Sequence, residues 1–245
     1  MDYTTVIILS LAIGVVAFLY SSVGHAGASG YIAVMALLGL TPAEFRPTAL
    51  ILNILVASIG TYQFWNAGHF SWKLFWPFVL LSAPAAYFGG YLHLPVSVLK
   101  IVIGLVLFFS AARLFFRKGD PPKIEDAPKP VAVGIGALIG FLAGLTGTGG
   151  GIFLTPTLLF FRWARIRQAA AVSAPFILVN SISGLAGYFS ATHYIPALGV
   201  IVAPFAVIGG ILGSHFGSRR FPVRAISLLL ATVLIIAGAK LIFTK

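Results

Sequence analysis

Gly147-Thr148-Gly149-Gly150-Gly151-Ile152-Phe153-Leu154-Thr155-Pro156 decides how this chain is read. Apolar sequence flanks the stretch on both sides, so irregular backbone falls at a depth where lipid would ordinarily forbid it. Amides there must be satisfied by protein, enclosed water or a ligand. Three consecutive glycines also disfavour a helix by about 1 kcal/mol each. A weaker copy, Gly24-His25-Ala26-Gly27-Ala28-Ser29-Gly30, stands near the start of the chain.

The surrounding composition fixes the solvent. Of 245 residues, 59% are hydrophobic and 9% charged, and the mean hydropathy is +1.03. So few charges cannot cover a globular surface, and the composition implies an all-α, polytopic membrane protein. A net charge of +11 would suit nucleic acid, but basic loops between membrane spans account for it and no nucleic-acid partner is expected. The absence of cysteine excludes disulfides, thiol catalysis and cysteine metal sites. Asp2 stands where a cleaved signal would carry basic residues, so the first apolar stretch is expected to remain as a span. The acids are Asp2, Glu44, Asp120, Glu125 and Asp126, and none falls within an apolar segment. Cation carriers and proton relays commonly keep an intramembrane carboxylate, so a cationic substrate is disfavoured.

Along the chain, apolar segments run over residues 5–22, 31–40, 47–65, 74–92 and 95–116. Thr41-Pro42 reads as an N-cap followed by proline at the first helical position. Residues 117–130, with lysines, acids and prolines, form a solvated linker between a first repeat (1–116) and a second (131–245). In the second repeat the segments are 131–146, 152–161, 168–189, 196–216 and 223–243. The halves match residue by residue: Gly24 with Gly147, Asn53 with Asn180, Gly60 with Gly187, Pro84 with Pro204, and Gly89-Gly90 with Gly209-Gly210. This is the pattern of a duplication.

A ten-residue helix rises about 15 Å, and a span needs about 30 Å, so 152–161 cannot cross alone. It either completes a broken span or returns, with its predecessor, to the side it came from. The broken-span option divides the basic residues evenly between the two faces. The returning, re-entrant option puts Lys73, Arg113, Arg117, Lys118, Lys123, Lys129, Arg162, Arg165, Arg167, Arg219, Arg220 and Arg224 on one face, against Arg46, Lys100, Lys240 and Lys245 on the other. The positive-inside rule selects the second, which makes the repeats inverted, with both termini outside.

Inverted-repeat transporters bind substrate near mid-membrane, where broken helices expose their ends. Short helices beginning near Ser29 and Ile152 would present free amides and positive dipole ends to an anion without any formal charge. Gly24, Gly27, Gly149, Gly150 and Gly151 would admit the ligand closely, because no Cβ intervenes. His25, the one ionisable residue in either motif, could donate to an anion or carry a coupled proton; Thr148 takes its place in the second copy. Asn53 and Asn180 are buried amides beside each motif, with Ser173, and more weakly Ser183 and Thr61, as further polar candidates. The rows Gly136/Gly140/Gly144 and Gly209/Gly213/Gly217 sit at helical spacing and read as close helix packing. Trp65, Trp72, Trp76 and Trp163 read as interfacial anchors. No Walker lysine, preceding strand or metal-ligand spacing is present, so neither an enzyme nor a cofactor is expected.

The duplicated glycine segment, with Gly149-Gly150-Gly151-Ile152-Phe153-Leu154-Thr155-Pro156-Thr157-Leu158 as its clearer copy, resembles the sulfite exporter TauE/SafE family of membrane permeases. The likeness covers length, paired halves, central linker and the asparagine after each motif. It implies transport of a small sulfur oxyanion or organosulfonate, such as sulfite or sulfoacetate, across the cytoplasmic membrane. In the first copy His25, Ala26, Ala28 and Ser29 interrupt the glycines, and Ala33 stands in the proline position. The expectation is therefore a secondary anion transporter in contact with lipid, with proton coupling through His25 or through a protonated substrate. Two other readings are an inverted-repeat exporter of a non-sulfur drug or metabolite, and a membrane assembly partner whose glycines serve packing alone.

Overall fold

The computed structural model describes residues 3–92, 108, 111, 112, 115, 120 and 123–243. These residues build α1 (Tyr3–Ser21), α2 (Ala28–Leu37), α3 (Pro42–Asn66), α4 (Trp72–Tyr91), α5 (Lys129–Thr146), α6 (Gly151–Phe160), α7 (Ile166–Thr192), α8 (Leu198–His215) and α9 (Val223–Phe243). A π-helical turn, Phe216–Arg220, follows α8. The segment expected at 95–116 lies outside the described residues, apart from the helical residues 108, 111, 112 and 115. Among the described residues, five stretches are long and apolar enough to cross a membrane: Tyr3–Ser21, Pro42–Asn66, Lys129–Thr146, Ile166–Thr192 and Leu198–Arg220. Their outer faces are as apolar as their inner ones: Ile7 is 60% exposed and Val200 74%, while Leu9 and Val202 are fully buried. A helix that is apolar all round is stable only where its surroundings are apolar too.

Several helices run further than the sequence pattern suggests. Instead of starting at the proline of 47–65, α3 begins at Pro42, where Thr41 N and Thr41 Oγ1 each donate to Glu44 Oε2 at 2.8 Å. This is the expected N-cap, extended into a capping box. Pro47, Pro77, Pro84, Pro156, Pro175 and Pro204 all lie inside helices. Proline is tolerated there because neighbouring helices re-satisfy the freed carbonyls. Trp65 and Trp72 are exposed, as anchors should be, whereas Trp163 is buried, stacked on Phe161 at 4.7 Å and tilted against Phe78 at 6.1 Å.

Helix directions follow from a few contacts. The glycine row of α5 lies on the backbone of α4: Cβ atoms built on Gly136, Gly140 and Gly144 would fall 2.1, 2.3 and 2.0 Å from the carbonyls of Phe78, Ser82 and Ala86. The row of α8 lies likewise on α1, where Gly209, Gly213 and Gly217 meet the carbonyls of Gly14, Phe18 and Ser22 at 2.2, 2.2 and 2.0 Å. Residue numbers rise together in both seams, so each pair runs in parallel, and each pair joins a helix of one half to a helix of the other. These glycines are packing devices, as their spacing indicated.

One end of the bundle carries the linker. There Lys73 Nζ meets Asp126 at 2.9 Å, Asp120 Oδ1 accepts from Ile166 N at 2.8 Å, Glu125 N donates to Arg162 O at 3.0 Å, and His69 Nε2 lies 3.1 Å from Ser218 O. The bond between Glu125 and Arg162 ties the start of the α5 limb to the end of α6, so this hairpin opens toward the linker end. The α1–α2 hairpin opens the other way. Because α1 parallels α8, it starts beside the α7–α8 connection, and α2 returns to the N-terminus of α3, where Ala43 O accepts from Tyr188 OH at 3.0 Å. Arg162, Arg165, Arg167, Arg219 and Arg220 thus share the linker end, and Arg46 stands near the opposite one.

Candidate functional site

Both glycine motifs break their helices by the same local device. Gly27 and Gly150, the residues before α2 and α6, have φ of +108° and +88°, a region closed to most side chains. The turns also close alike: His25 N donates to Tyr20 O and Thr148 N to Ala143 O, while Tyr31 N reaches Gly27 O and Leu154 N reaches Gly150 O. These two bonds recur in both turns, while Gly24 N reaches back three residues to Ser21 O and Gly147 N four to Ala143 O.

The two turns meet inside the bundle and are stitched together across the halves. His25 Nε2 lies 2.8 Å from Thr155 Oγ1, which lies 2.7 Å from Ser173 Oγ. Asn53 Oδ1 accepts from Ala28 N at 3.2 Å, and its Nδ2 donates to Thr148 O and to Ser181 Oγ, both at 3.3 Å. A Cβ on Gly149 would fall 2.5 Å from Asn53 Nδ2, and one on Gly151 would fall 3.2 Å from His25 Cδ2. Thr148 Oγ1 pairs with Thr146 Oγ1 at 2.9 Å. Gly150 packs against Phe176, and Gly24 against the backbone of Ala170. Gly27 faces its own Tyr31, whose hydroxyl donates to Ala26 O. His25, Asn53, Thr148, Gly149, Gly151 and Ser173 thus form one buried cluster, with Gly24, Gly27 and Gly150 at its turns. Thr61 lies two turns along α3 from Asn53 with its hydroxyl unpartnered, and Ser183 is half-buried on α7.

Asn180 is different from Asn53. It is 0% exposed, yet neither Nδ2 nor Oδ1 has a hydrogen-bond partner. Residues four apart share a helix face. Phe176 and Gly184, four residues before and after Asn180, meet Gly150 and Gly144. Asn180 therefore sits on the face of α7 that meets the second hairpin. No side chain caps the N-terminus of α6 from its N-cap position, Gly150, whereas the first amide of α2 is taken by Asn53. The first turn is thus tied to Asn53, whereas Asn180 leaves both of its amide atoms uncommitted beside the second. Electrostatically the cluster contains no carboxylate, so its neutral dipoles favour negative charge.

Asn53 and Asn180 should therefore respond differently to truncation. Asn53→Ala strands Ala28 N and Thr148 O among buried residues. It is expected to cost about 1–3 kcal/mol of stability, read as a lowered unfolding midpoint in detergent.

Sequence reasoning passed over three residues here. Thr155 and Ser181 link His25 and Asn53 to the rest of the cluster; the only signal for either was a hydroxyl at lipid depth. Arg46, assigned only to a loop, sends Nη2 to Gly144 O at 3.3 Å. At the linker end a cavity of about 360 Å³ is lined by His69, Asp120, Arg165, Arg167 and Gln168 among others, which gives the basic loop residues a concave surface.

Comparison with known proteins extends over nearly the whole chain. The family model described as Sulfite exporter TauE/SafE matches residues 9–241. A probable membrane transporter protein of Sinorhizobium fredii is 40% identical, over 98% of this chain and 99% of its own. A probable membrane transporter protein of Bacillus subtilis is 26% identical over 97% and 99%, and one of Methanocaldococcus jannaschii 27% over 78% and 76%. No solved structure matches the chain.

Proposed function

Since the chain belongs to the sulfite exporter TauE/SafE family, we propose that this multi-pass membrane transporter moves a small sulfur-containing anion, such as sulfite, sulfoacetate or a related organosulfonate. Transport is by alternating access between two inverted halves, with the anion held where the glycine turns meet. The observation that carries this reading is Asn180: a fully buried amide with both atoms unpartnered, on the α7 face against the second turn. An oxyanion placed there takes hydrogen bonds from Asn180 Nδ2 and from the amides at the start of α6. A helix dipole contributes only about 0.3–2 kcal/mol, so these bonds supply most of the affinity.

The opposed openings of the two hairpins support re-entrant, inverted repeats, and the clustering of arginines at the linker end supports a cytoplasmic linker. The repeats then divide at residues 117–130 into 1–116 and 131–245, with the α4–α5 and α1–α8 seams holding helices of the two repeats together. Cross-links such as His25 with Thr155 and Asn53 with Thr148 are the contacts that must exchange when access alternates.

The test is counterflow in proteoliposomes with labelled sulfite, sulfoacetate and sulfate at two pH values. Uptake of label against unlabelled sulfur anion is expected. Exchange of a non-sulfur metabolite in place of every sulfur anion would overturn the substrate assignment. Proton coupling is assigned in the same assay: if His25→Gln abolishes the pH dependence, the proton travels on the imidazole, and if the dependence persists, it travels on the substrate.

A further inference from the structure

We infer that Arg46 is the anion-recognition residue of the mouth opposite the linker, the first positive charge an oxyanion meets on its way to Asn180. This rests on the anion-transport reading above and adds to it a charged group and a side of the membrane.

Arg46 lies in the second turn of α3, half-buried. Its guanidinium reaches the tip of the second hairpin, with Nη2 3.3 Å from Gly144 O, and stands 5.7 Å from the centre of the Tyr188 ring. Nε is buried and has no hydrogen-bond partner. No carboxylate among the described residues pairs with it. Glu44, two residues away, already accepts both Thr41 N and Thr41 Oγ1. A half-buried cation with one long carbonyl bond and no counter-charge is an expensive arrangement for a purely structural role. The same group suits an oxyanion, because a guanidinium offers paired donors that two oxygens of a sulfonate or sulfite accept together and a single carbonyl cannot fill.

Its position gives the charge a direction. Gly144 connects Arg46 to the site: a Cβ built on Gly184 would fall 3.2 Å from Gly144 Cα, and Gly184 is one turn from Asn180 on α7. In the register that aligns Asn53 with Asn180 and Gly60 with Gly187, Arg46 aligns with Ser173. The duplication therefore kept this charge in one half only. The linker mouth instead has the basic cavity containing Arg165 and Arg167. Exchange of the bond from Gly144 O to the anion would remove one of the ties between the hairpin tip and α3, leaving that from Asn53 to Thr148 O, which couples recognition to the contacts at the site.

The test combines kinetics with sidedness. In equilibrium exchange of sulfoacetate, Arg46→Gln is expected to raise the half-saturating concentration about tenfold or more, with maximal exchange changed less than about threefold. Arg46→Lys keeps the charge but loses the fork, so it should fall between Gln and the native protein. An unchanged half-saturation in either variant overturns the inference, and Arg46→Lys decides alone if Arg46→Gln is not recovered folded. The chain has no cysteine, so single cysteines report cleanly: an impermeant maleimide should modify Arg46→Cys from the face opposite that of Arg219→Cys, and labelling from the same face also overturns it. Failure here with Asn180→Ala still inactive removes Arg46 alone; native exchange in Asn180→Ala removes the site itself.

Discussion

Asn180→Ala is expected to abolish sulfur-anion exchange while leaving the protein as stable as before. Both expectations follow from the unpartnered amide. A side chain that makes no protein hydrogen bond loses none when truncated, and removing a buried unsatisfied group offsets part of the cost of the small void left behind. The unfolding midpoint in detergent should therefore stay put or rise, unlike that of Asn53→Ala. Transport depends on the bonds Asn180 makes to the anion, each contributing about 1.5–3 kcal/mol when charge-assisted. Loss of exchange by a factor of about 10–100 or more is the corresponding result. Asn180→Asp should be equally inactive, since it keeps the shape but sets a negative charge against the substrate. Native exchange rates in Asn180→Ala would end the site assignment.

The largest expected effects on stability lie in the two glycine seams. Gly144→Ala places a methyl 2.0 Å from Ala86 O, and Gly217→Ala places one 2.0 Å from Ser22 O. In both cases the obstacle is backbone of a parallel helix, so no rotamer change relieves it and the helices must separate. Overpacking of this sort costs about 1–3 kcal/mol or more. Both variants should show a lower unfolding midpoint and reduced recovery of folded protein. Gly134→Ala supplies the contrast: a Cβ there meets nothing within 4 Å, and a helical alanine gains about 0.5–1 kcal/mol over glycine. Equal behaviour of Gly134→Ala and Gly144→Ala would refute the seam geometry. Within the turns, Gly150 combines φ of +88° with Phe176 Cε1 only 2.9 Å from a built Cβ, so substitutions there disturb packing as well as any ligand.

The letters alone determined a good deal of this protein. Composition required a membrane, since 9% charged residues cannot solvate a surface. Consecutive glycines within apolar sequence located both helix breaks, because backbone freedom is a property of residue type and needs no partner. Glycines at helical spacing gave the seams, and the pairing of Asn53 with Asn180 gave the repeat. Only the tertiary structure separated those two asparagines, one tied to Ala28, Thr148 and Ser181 and the other unpartnered. It alone drew Arg46 from an apparent loop onto Gly144, joined His25 to Thr155, and buried Trp163. Hydrogen bonding and burial are relations between segments distant in sequence, and periodicity within one segment carries no record of which neighbour fills its donors.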